Sequence, residues 1–488
     1  MKREAAAHTS PRKENLCQSR RSGGKEPKQD IKERSDGIGR NNGTPGYREG
    51  RTEPGREREP GGARGNGRGE AARREAKPGS TVAARGRAPA CFFALDGGTE
   101  GCDRLWLVFR LPLSPDWATG VSLLSRLLSV GGGPAEMRER YHRLEGLWGA
   151  SLTAAALKKG EEQLLSLQVS VPRPVRGTVW DAALEVLRET VEGPLTKGFS
   201  AERVNREKQA LARALLSRQD DRFHWAQTRC LRWMCRNETF GVDADGAVEK
   251  LPDWTAGRLH TLYRRLVGRA PAVIVYAGRQ HPGLEGELRG WLDGLRQGPV
   301  WEKPVAAQAP DAPRFPHRVF EPCPGRQAQL VMGWRSQGGY LPLQVAAEVL
   351  GGGGASRLFA SLREAAGLCY SVGAVALRHQ RILLAQAGLL PQAVDGAGEQ
   401  IARAVAELPH TLEESEVAQA KRSLRERLRG RKESPAAWAD FVLDQILAGE
   451  EPEPEAVCRR LETVTRDETA QAAAGLKLDT LYVLAERM

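Results

Sequence analysis

The sequence predicts an α+β protein built from two copies of one domain, and three observations carry that reading. An order of strand, helix, helix, strand pair, helix, long helical stretch, helix and strand starts near residue 104 and recurs from near residue 326. Each unit spans about 165 to 190 residues, too long for a solenoid repeat, so duplication of a whole domain fits. The segment between the units, roughly 297–315, is rich in Pro and Ala, lacks hydrophobic periodicity and reads as a linker. A polar stretch precedes both. The expected divisions are a basic Gly/Arg-rich tail over 1–90, a first domain over 91–296, the linker 297–315 and a second domain over 316–488.

The formal charge of +12 over 488 residues is located mainly in the tail. Residues 1–90 hold 22 Lys and Arg against 12 Asp and Glu, a net of +10, which leaves +2 for the rest. Stretches such as GRNNGTPGYREGRTEPGREREP have too few large apolar residues to offset the entropy of ordering, so the tail is expected to be disordered. RG-rich tails that bind RNA usually interleave aromatic rings for base stacking. Tyr47 is the only aromatic residue before Phe92, so a solvated tail is favoured over an RNA-binding one.

In the first unit LWLVFRLPL reads as a buried strand, followed by helices from Val121 to Val130 and from Glu136 to Trp148. SLTAAALKKGEEQLLSLQVSVP reads as two strands turning at Lys159-Gly160. Trp180, Leu184, Leu187 and Val191 recur at helical spacing, and a long helical stretch is expected from Ser200 to about Cys235. A helix over 253–267 and the strand PAVIVYAG close the unit. The second unit repeats this with strand QAQLVMGW, helices Leu343–Leu350 and Ser356–Ala366, and a strand pair across YSVGAVALRHQRILLAQAGLL. Helix Val394–Leu408, a long stretch from Glu413 to Ala448, another helix and the strand DTLYVLAE follow.

The most specific string is GGGGASRLFASLREAAGLCYSV, residues 351–372. Its glycines do not make a phosphate loop, because Ala355-Ser356-Arg357 stands where Gly-Lys-Ser/Thr would open the helix. They read instead as a tight turn with close backbone approach. Arg363 and Tyr370 lie seven residues apart in this string.

That string resembles the C-terminal-domain signature of the pitrilysin/insulinase zinc metallopeptidases. The resemblance implies two homologous insulinase-like domains forming half of a clamshell, and an Arg and a Tyr that grip the substrate near the scissile bond. Those roles fall on Arg363 and Tyr370. The family's zinc motif H-x-x-E-H is absent from the sequence. Its positions fall on Ser122, Ser125 and Arg126 in SLLSRLLSVGG. The third ligand belongs to an E-x6-E pattern on a later helix, where Glu207 fits the first position and Ala214 the second. Two imidazoles one helical turn apart supply neutral ligands, and the Glu between them takes a proton from metal-bound water. A hydroxyl is a poor zinc ligand, and a guanidinium charged above pH 12 repels a dication. The nearest imitation, His142-x-x-Glu145, lacks the second His and reads as an amphipathic helix face.

Asp220-Asp221-Arg222, FSAERVNREK, RCLRWMC and ASLTAAALKKGEEQ add likeness to a bacterial branch of the family. That branch is the inactive insulinase-like proteins associated with aminopentanol modification of elongation factor P. The resemblance implies a non-catalytic, substrate-binding subunit with no cofactor of its own. Its partner would be a related subunit that carries H-x-x-E-H and zinc, and the substrate a peptide. Two rivals stay open: an active zinc metallopeptidase whose ligands escape alignment, and a peptide- or RNA-holding scaffold outside any proteolytic complex. No apolar run approaches the roughly 18 residues that span a bilayer, and no signal-peptide core opens the chain, so a cytoplasmic location is expected. The eight cysteines are scattered without a C-x-x-C pair and are expected to be reduced and structural.

Overall fold

The computed structural model describes residues 90–486 apart from 97–100, 131–133, 174–177, 280 and 302–309. The expected tail, save Ala90, and the middle of the linker lie outside the described residues. The first half runs β1 (Ala90–Asp96), β2 (Cys102–Pro112), α1 (Ala118–Val130), α2 (Pro134–Gly146), β3 (Ser151–Lys159), β4 (Glu162–Pro172) and α3 (Thr178–Lys197). It continues with α4 (Ala201–Ser217), α5 (Arg222–Met234), α6 (Ala256–Arg269), β5 (Ala272–Gly278) and α7 (Leu284–Gly294). The second half runs β6 (His317–Pro322), β7 (Ala328–Arg335), α8 (Tyr340–Gly351), a π-helix (Phe359–Ala365), β8 (Cys369–Leu377) and β9 (Ile382–Leu389). It closes with α9 (Val394–Thr411), α10 (Glu414–Gly430), α11 (Pro435–Ala448), α12 (Pro454–Thr463), α13 (Arg466–Ala474) and β10 (Lys477–Ala485).

The duplication is explicit in the sheets. One has the order β1-β5-β2-β4-β3 and the other β6-β10-β7-β9-β8, the same arrangement element for element. In each, the outermost first strand pairs parallel with the last strand, and all other pairs are antiparallel. β3 and β8 are the opposite edges.

Both long helical stretches expected from the sequence are broken. Asp221 interrupts the first, its side chain accepting from His224 N–H at 3.1 Å to cap α5. Ser434-Pro435 interrupts the second, Ser434 capping α11 with Pro at its first position. The helix expected to end at Trp148 ends at Gly146, and Trp148 lies in the following turn at φ +61°.

Each sheet buries one face under its own helices. Leu105, Leu107 and Phe109 of β2 meet Leu123, Leu124 and Leu127 of α1 and Leu184 and Leu187 of α3. Leu330, Met332 and Trp334 of β7 meet Leu343 and Leu350 of α8 and Ile401 of α9. The other face is covered by the opposite half. Trp106, Val108, Val273 and Val275 of the first sheet pack with Trp438, Phe441, Val442 and Leu447 of α11. Val331, Leu384 and Tyr482 of the second sheet pack with Ala226, Cys230 and Met234 of α5. Since α5 and α11 hold corresponding places in the two halves, the exchange is reciprocal. Each exchanged helix shields side chains worth about 1.5–3 kcal/mol apiece on burial.

Charges fasten this exchange. Lys159, at the tip of the β3–β4 turn, pairs with Asp440 at 2.7 Å and Asp444 at 2.8 Å on α11. Arg229 of α5 pairs with Glu321 of β6 at 2.7 Å. Buried Arg335 donates to Asp479 at 2.7 Å and Met234 O at 2.9 Å, and forks onto Glu238 at 2.5 and 3.3 Å. Burial opposes its charge, but the two carboxylates outweigh that and raise its pKa. Gly160, at φ +58°, lets the hairpin tip close on His379, whose ring would lie 2.8 Å from any Cβ placed there.

Candidate functional site

The structure brings Ser122, Ser125, Arg126 and Glu207 to one place, because α4 packs across α1. Spacings of three and four residues put the first three on adjacent positions of one face of α1. Ser122 Oγ donates to Ala244 O at 2.9 Å, and Ser125 Oγ donates to Ser122 O at 2.8 Å. Both hydroxyls are buried and committed to carbonyls. Arg126 Nε donates to Glu207 Oε2 at 3.0 Å across the helix pair. A fixed cation therefore meets the carboxylate that the resemblance aligns with the zinc-helix partner. Ala214 lies two turns further along α4 and supplies no donor atom.

The loop after α5 seals the same region. Gln163 Nε2 donates to Ala244 O at 2.6 Å and Ala118 O at 3.0 Å, and Ala247 N–H donates to Thr119 Oγ1 at 3.1 Å. Lys158 of β3 donates to Phe240 O and, at 3.0 Å, to Val242 O, with its ammonium 3.9 Å from the Phe240 ring centre. Burial pulls the Lys158 pKa down to about 8. At the far end, Arg140 donates to Leu128 O at 3.0 Å and Ser129 O at 2.9 Å, and Arg203 donates to Leu127 O. These arginines supply the positive charge that the last turn of α1 lacks. The donor set does not fit zinc: two serine hydroxyls are weak ligands, and the Arg126 guanidinium holds the nearby Glu207 carboxylate and repels a dication. Among the described residues no group of three or more His, Cys, Asp or Glu is placed to hold a metal ion. His142 and Glu145 are both exposed and 3.4 Å apart on α2.

Arg363 and Tyr370 have a different setting. Arg363 lies on the π-helix, where Ala366 N–H donates to Ser361 O five residues back. The widened turn turns Arg363 to solvent, its guanidinium 4.9 Å from the Phe359 ring centre. Tyr370 is 54% exposed at the start of the edge strand β8, where the register shifts between Cys369 and Ser371. Tyr370 thus does not fill the core, and Arg363 makes no ion pair among the described residues. π-turns and strand irregularities recur where a side chain must be aimed. Below them Arg357 is spent on structure, donating to Glu416 and Thr411 at 2.6–2.8 Å. Gly351 permits close packing on β8: a Cβ there would lie 2.2 Å from Ala374 N.

A cleft of about 1020 Å³ opens elsewhere, at the seam between the halves, and neither Arg363 nor Tyr370 lines it. Most of its charges are consumed in pairs, Arg335 with Glu238 and Asp479, and Arg378 and Arg460 with Glu450. The sealing loop, the Arg126–Glu207 pair and the π-turn carry no local signal in the sequence. The 81-residue separation of Arg126 and Glu207 explains why that pair escapes any reading by spacing.

Residues 253–424 match the family model of the peptidase M16 inactive domain. The chain is 24% identical over 405 residues to YmfF of Bacillus subtilis, a probable inactive metalloprotease, covering 79% of this chain and 94% of that protein. In fold it is similar to a conserved protein from Enterococcus faecalis, with a TM-score of 0.73 and 20% identity, covering 82% of this chain and 97% of the other. A peptidase M16 inactive domain from Pseudomonas fluorescens gives 0.63 and 18% over 82% and 96%, and a protease from Helicobacter pylori gives 0.61 and 13% over 81% and 96%. Among the described residues no helix is long and apolar enough to cross a membrane. With two sheets of one topology and no zinc donor set on α1, the chain has a fold similar to that of M16 peptidases, and its residues 253–424 are similar to the peptidase M16 inactive domain.

Proposed function

We propose that this chain is the non-catalytic, substrate-holding subunit of a heteromeric M16 peptidase. The observation that carries the reading is the contrast between two positions. On α1 the positions that the resemblance aligns with two zinc ligands and the base hold two engaged hydroxyls and a cation, whereas Arg363 and Tyr370 stay exposed by the edge strand β8. A guanidinium fork suits carbonyl and carboxylate oxygens, and a phenol adds a further donor. Together they can hold a peptide carbonyl as negative charge develops on it. A related subunit bearing H-x-x-E-H would contribute the zinc and the base. Peptides would enter extended and add to an edge strand.

Mixing the chain with such a subunit is expected to give turnover of a quenched peptide library that neither chain gives alone, with zinc retained only by the partner. Chelator-sensitive hydrolysis by this chain alone would overturn the reading. The link to elongation factor P is tested separately, by the aminopentanol modification state of that factor in cells lacking this chain. An unchanged state removes the link and leaves the peptidase reading intact.

A further inference from the structure

The corresponding hairpins of the two halves differ at their tips. β3 and β4 pair as far as Lys159 and Glu162 and turn on Gly160-Glu161, whereas β8 and β9 pair as far as Leu377 and Ile382 and turn over 378–381. The longer turn sets His379 against Gly160 of the first half. Beside it a cavity of about 290 Å³ opens, sharing Tyr340, Arg378 and Gln380 with the larger cleft at the seam. Four polar side chains on its wall lack the partners that burial normally requires. Gln445 of α11 is 3% exposed and Gln380 8%, and neither amide makes a hydrogen bond among the described residues. The Tyr340 phenol makes none either, and the Arg378 guanidinium lies 5.3 Å from the centre of its ring. The Arg378 side chain is only 16% exposed, and its contact with Glu450, at 3.6 Å, is too long for a hydrogen bond. That carboxylate is already held by Arg460. Burial therefore prevails and lowers the Arg378 pKa.

The donor inventory of these groups says what they can hold. A guanidinium carries only N–H donors, and two amides and a phenol add more, so the complement is a group rich in acceptors. Fixed charge points the same way. Lys158, Lys159, Arg378, Arg431 and Arg460 line the cavity against Asp444 alone. Lys158 is committed to two carbonyls, Lys159 and Arg431 face Asp440 and Asp444, and Arg460 holds Glu450. Arg378 is the cation left without a hydrogen-bonded partner. Much of the remaining wall is apolar, with Leu341, Leu428, Phe441 and Val457, which suits a carbon body better than a bare inorganic ion. We infer that this cavity binds a small organic anion, a body the size of one aromatic ring with a carboxylate or phosphate head seated on Arg378, Gln380 and Gln445. The site is independent of the substrate-holding reading, since neither Arg363 nor Tyr370 lines it.

The test is calorimetric titration of the full chain with phenylacetate, phenyl phosphate and the neutral phenylacetamide, with Tm recorded for every variant. Wild type is expected to bind at least one of the anions about ten-fold or more tightly than the amide, as hydrogen bonds to a charged head allow. The tighter anion identifies the head group. Arg378→Gln should erase the preference for an anion. Gln445→Leu should weaken the anion several-fold with Tm unchanged or raised, because an orphaned buried amide destabilises the fold and leucine does not. The inference falls if phenylacetamide binds as tightly as the anions, if none of the three binds at millimolar concentration, or if Arg378→Gln keeps the preference. It falls equally if Gln445→Leu lowers Tm and leaves binding unchanged, which marks the amide as part of the fold. Should Arg378→Gln not fold, the Gln445→Leu result decides.

Discussion

The two halves share a topology and differ in what they do with one helix pair. Arg126 is the ninth residue of α1, and Glu348 is the ninth residue of α8, its counterpart. Arg126 donates to Glu207 of α4, whereas Glu348 accepts from Ser423 at 2.7 Å and from Arg427 of α10. The polarity is inverted and the brace retained. The halves diverge after the helix. In the first, the loop from Phe240 to Ala247 closes over α1; in the second, a π-helix and a shifted edge strand leave Arg363 and Tyr370 in solvent. One scaffold thus supports a sealed site and an open one. What separates them lies in loops and a single widened turn, while the sheets stay alike.

The comparison breaks most forcefully where the halves exchange helices. Phe441→Ala on α11 empties a site against the outer face of the first sheet, and a loss of about 3–5 kcal/mol is expected from burial and cavity terms. Urea unfolding would show it as one cooperative loss across both halves. Two separate transitions would contradict the interlocked packing. Next in size, in the proposed complex with an H-x-x-E-H subunit, Arg363→Ala should lower kcat/KM by about 10²–10³, as removal of a charge-stabilising donor does. Turnover within two-fold of wild type would remove its assigned role.

Smaller effects sharpen the comparison. Glu207→Gln weakens a pair whose arginine is 35% exposed, so about 1 kcal/mol or less is expected after solvent screening. Glu348→Gln should cost more by the same denaturant assay, because its carboxylate, as enclosed as that of Glu207, serves two donors rather than one. Equal costs would mean that the second donor does not distinguish the two braces. The smallest effect is a pH limb at the hairpin joint. Burial holds the His379 pKa below its usual value, against Gly160 and the Lys159–Asp444 pair. The unfolded chain therefore takes up the proton first. Stability from this group is complete above the ordinary histidine value of about 6.5 and declines as pH falls through the lower folded value. His379→Leu should flatten that part of the Tm-against-pH curve, and an unaltered slope would reassign it to other groups.

Much of the fold was legible where one face of an element is strongly apolar. β2, β4, β5, β7, β9 and β10 are continuous buried runs, and α3 and α9 carry their apolar residues at helical spacing. β1 and β6 were not. HRVFEP alternates over only six residues with two charges in the run, and its role is fixed by parallel pairing with a strand some 160 residues later. α7 was missed because Gly286 and Gly290 dilute its helical signal. The splits at Asp221 and Ser434-Pro435 carried local capping signals that the long apolar periodicity overrode. Of the candidate sites, the string at 351–372 singled out Arg363 and Tyr370, and the structure adds that both are exposed. The polar cluster around Arg378 was not legible, since Tyr340, Gln380 and Gln445 come together only in the fold.

The helix exchange also limits where movement can occur. Hinged enzymes admit substrate by flexing the link between their lobes, but here each lobe carries the other's lid, and parting them would strip two hydrophobic surfaces at once. A chain so interlaced behaves as one stiff jaw. Under the two-subunit arrangement proposed above, taking bait in and letting it go would require the give to lie where this molecule meets its partner.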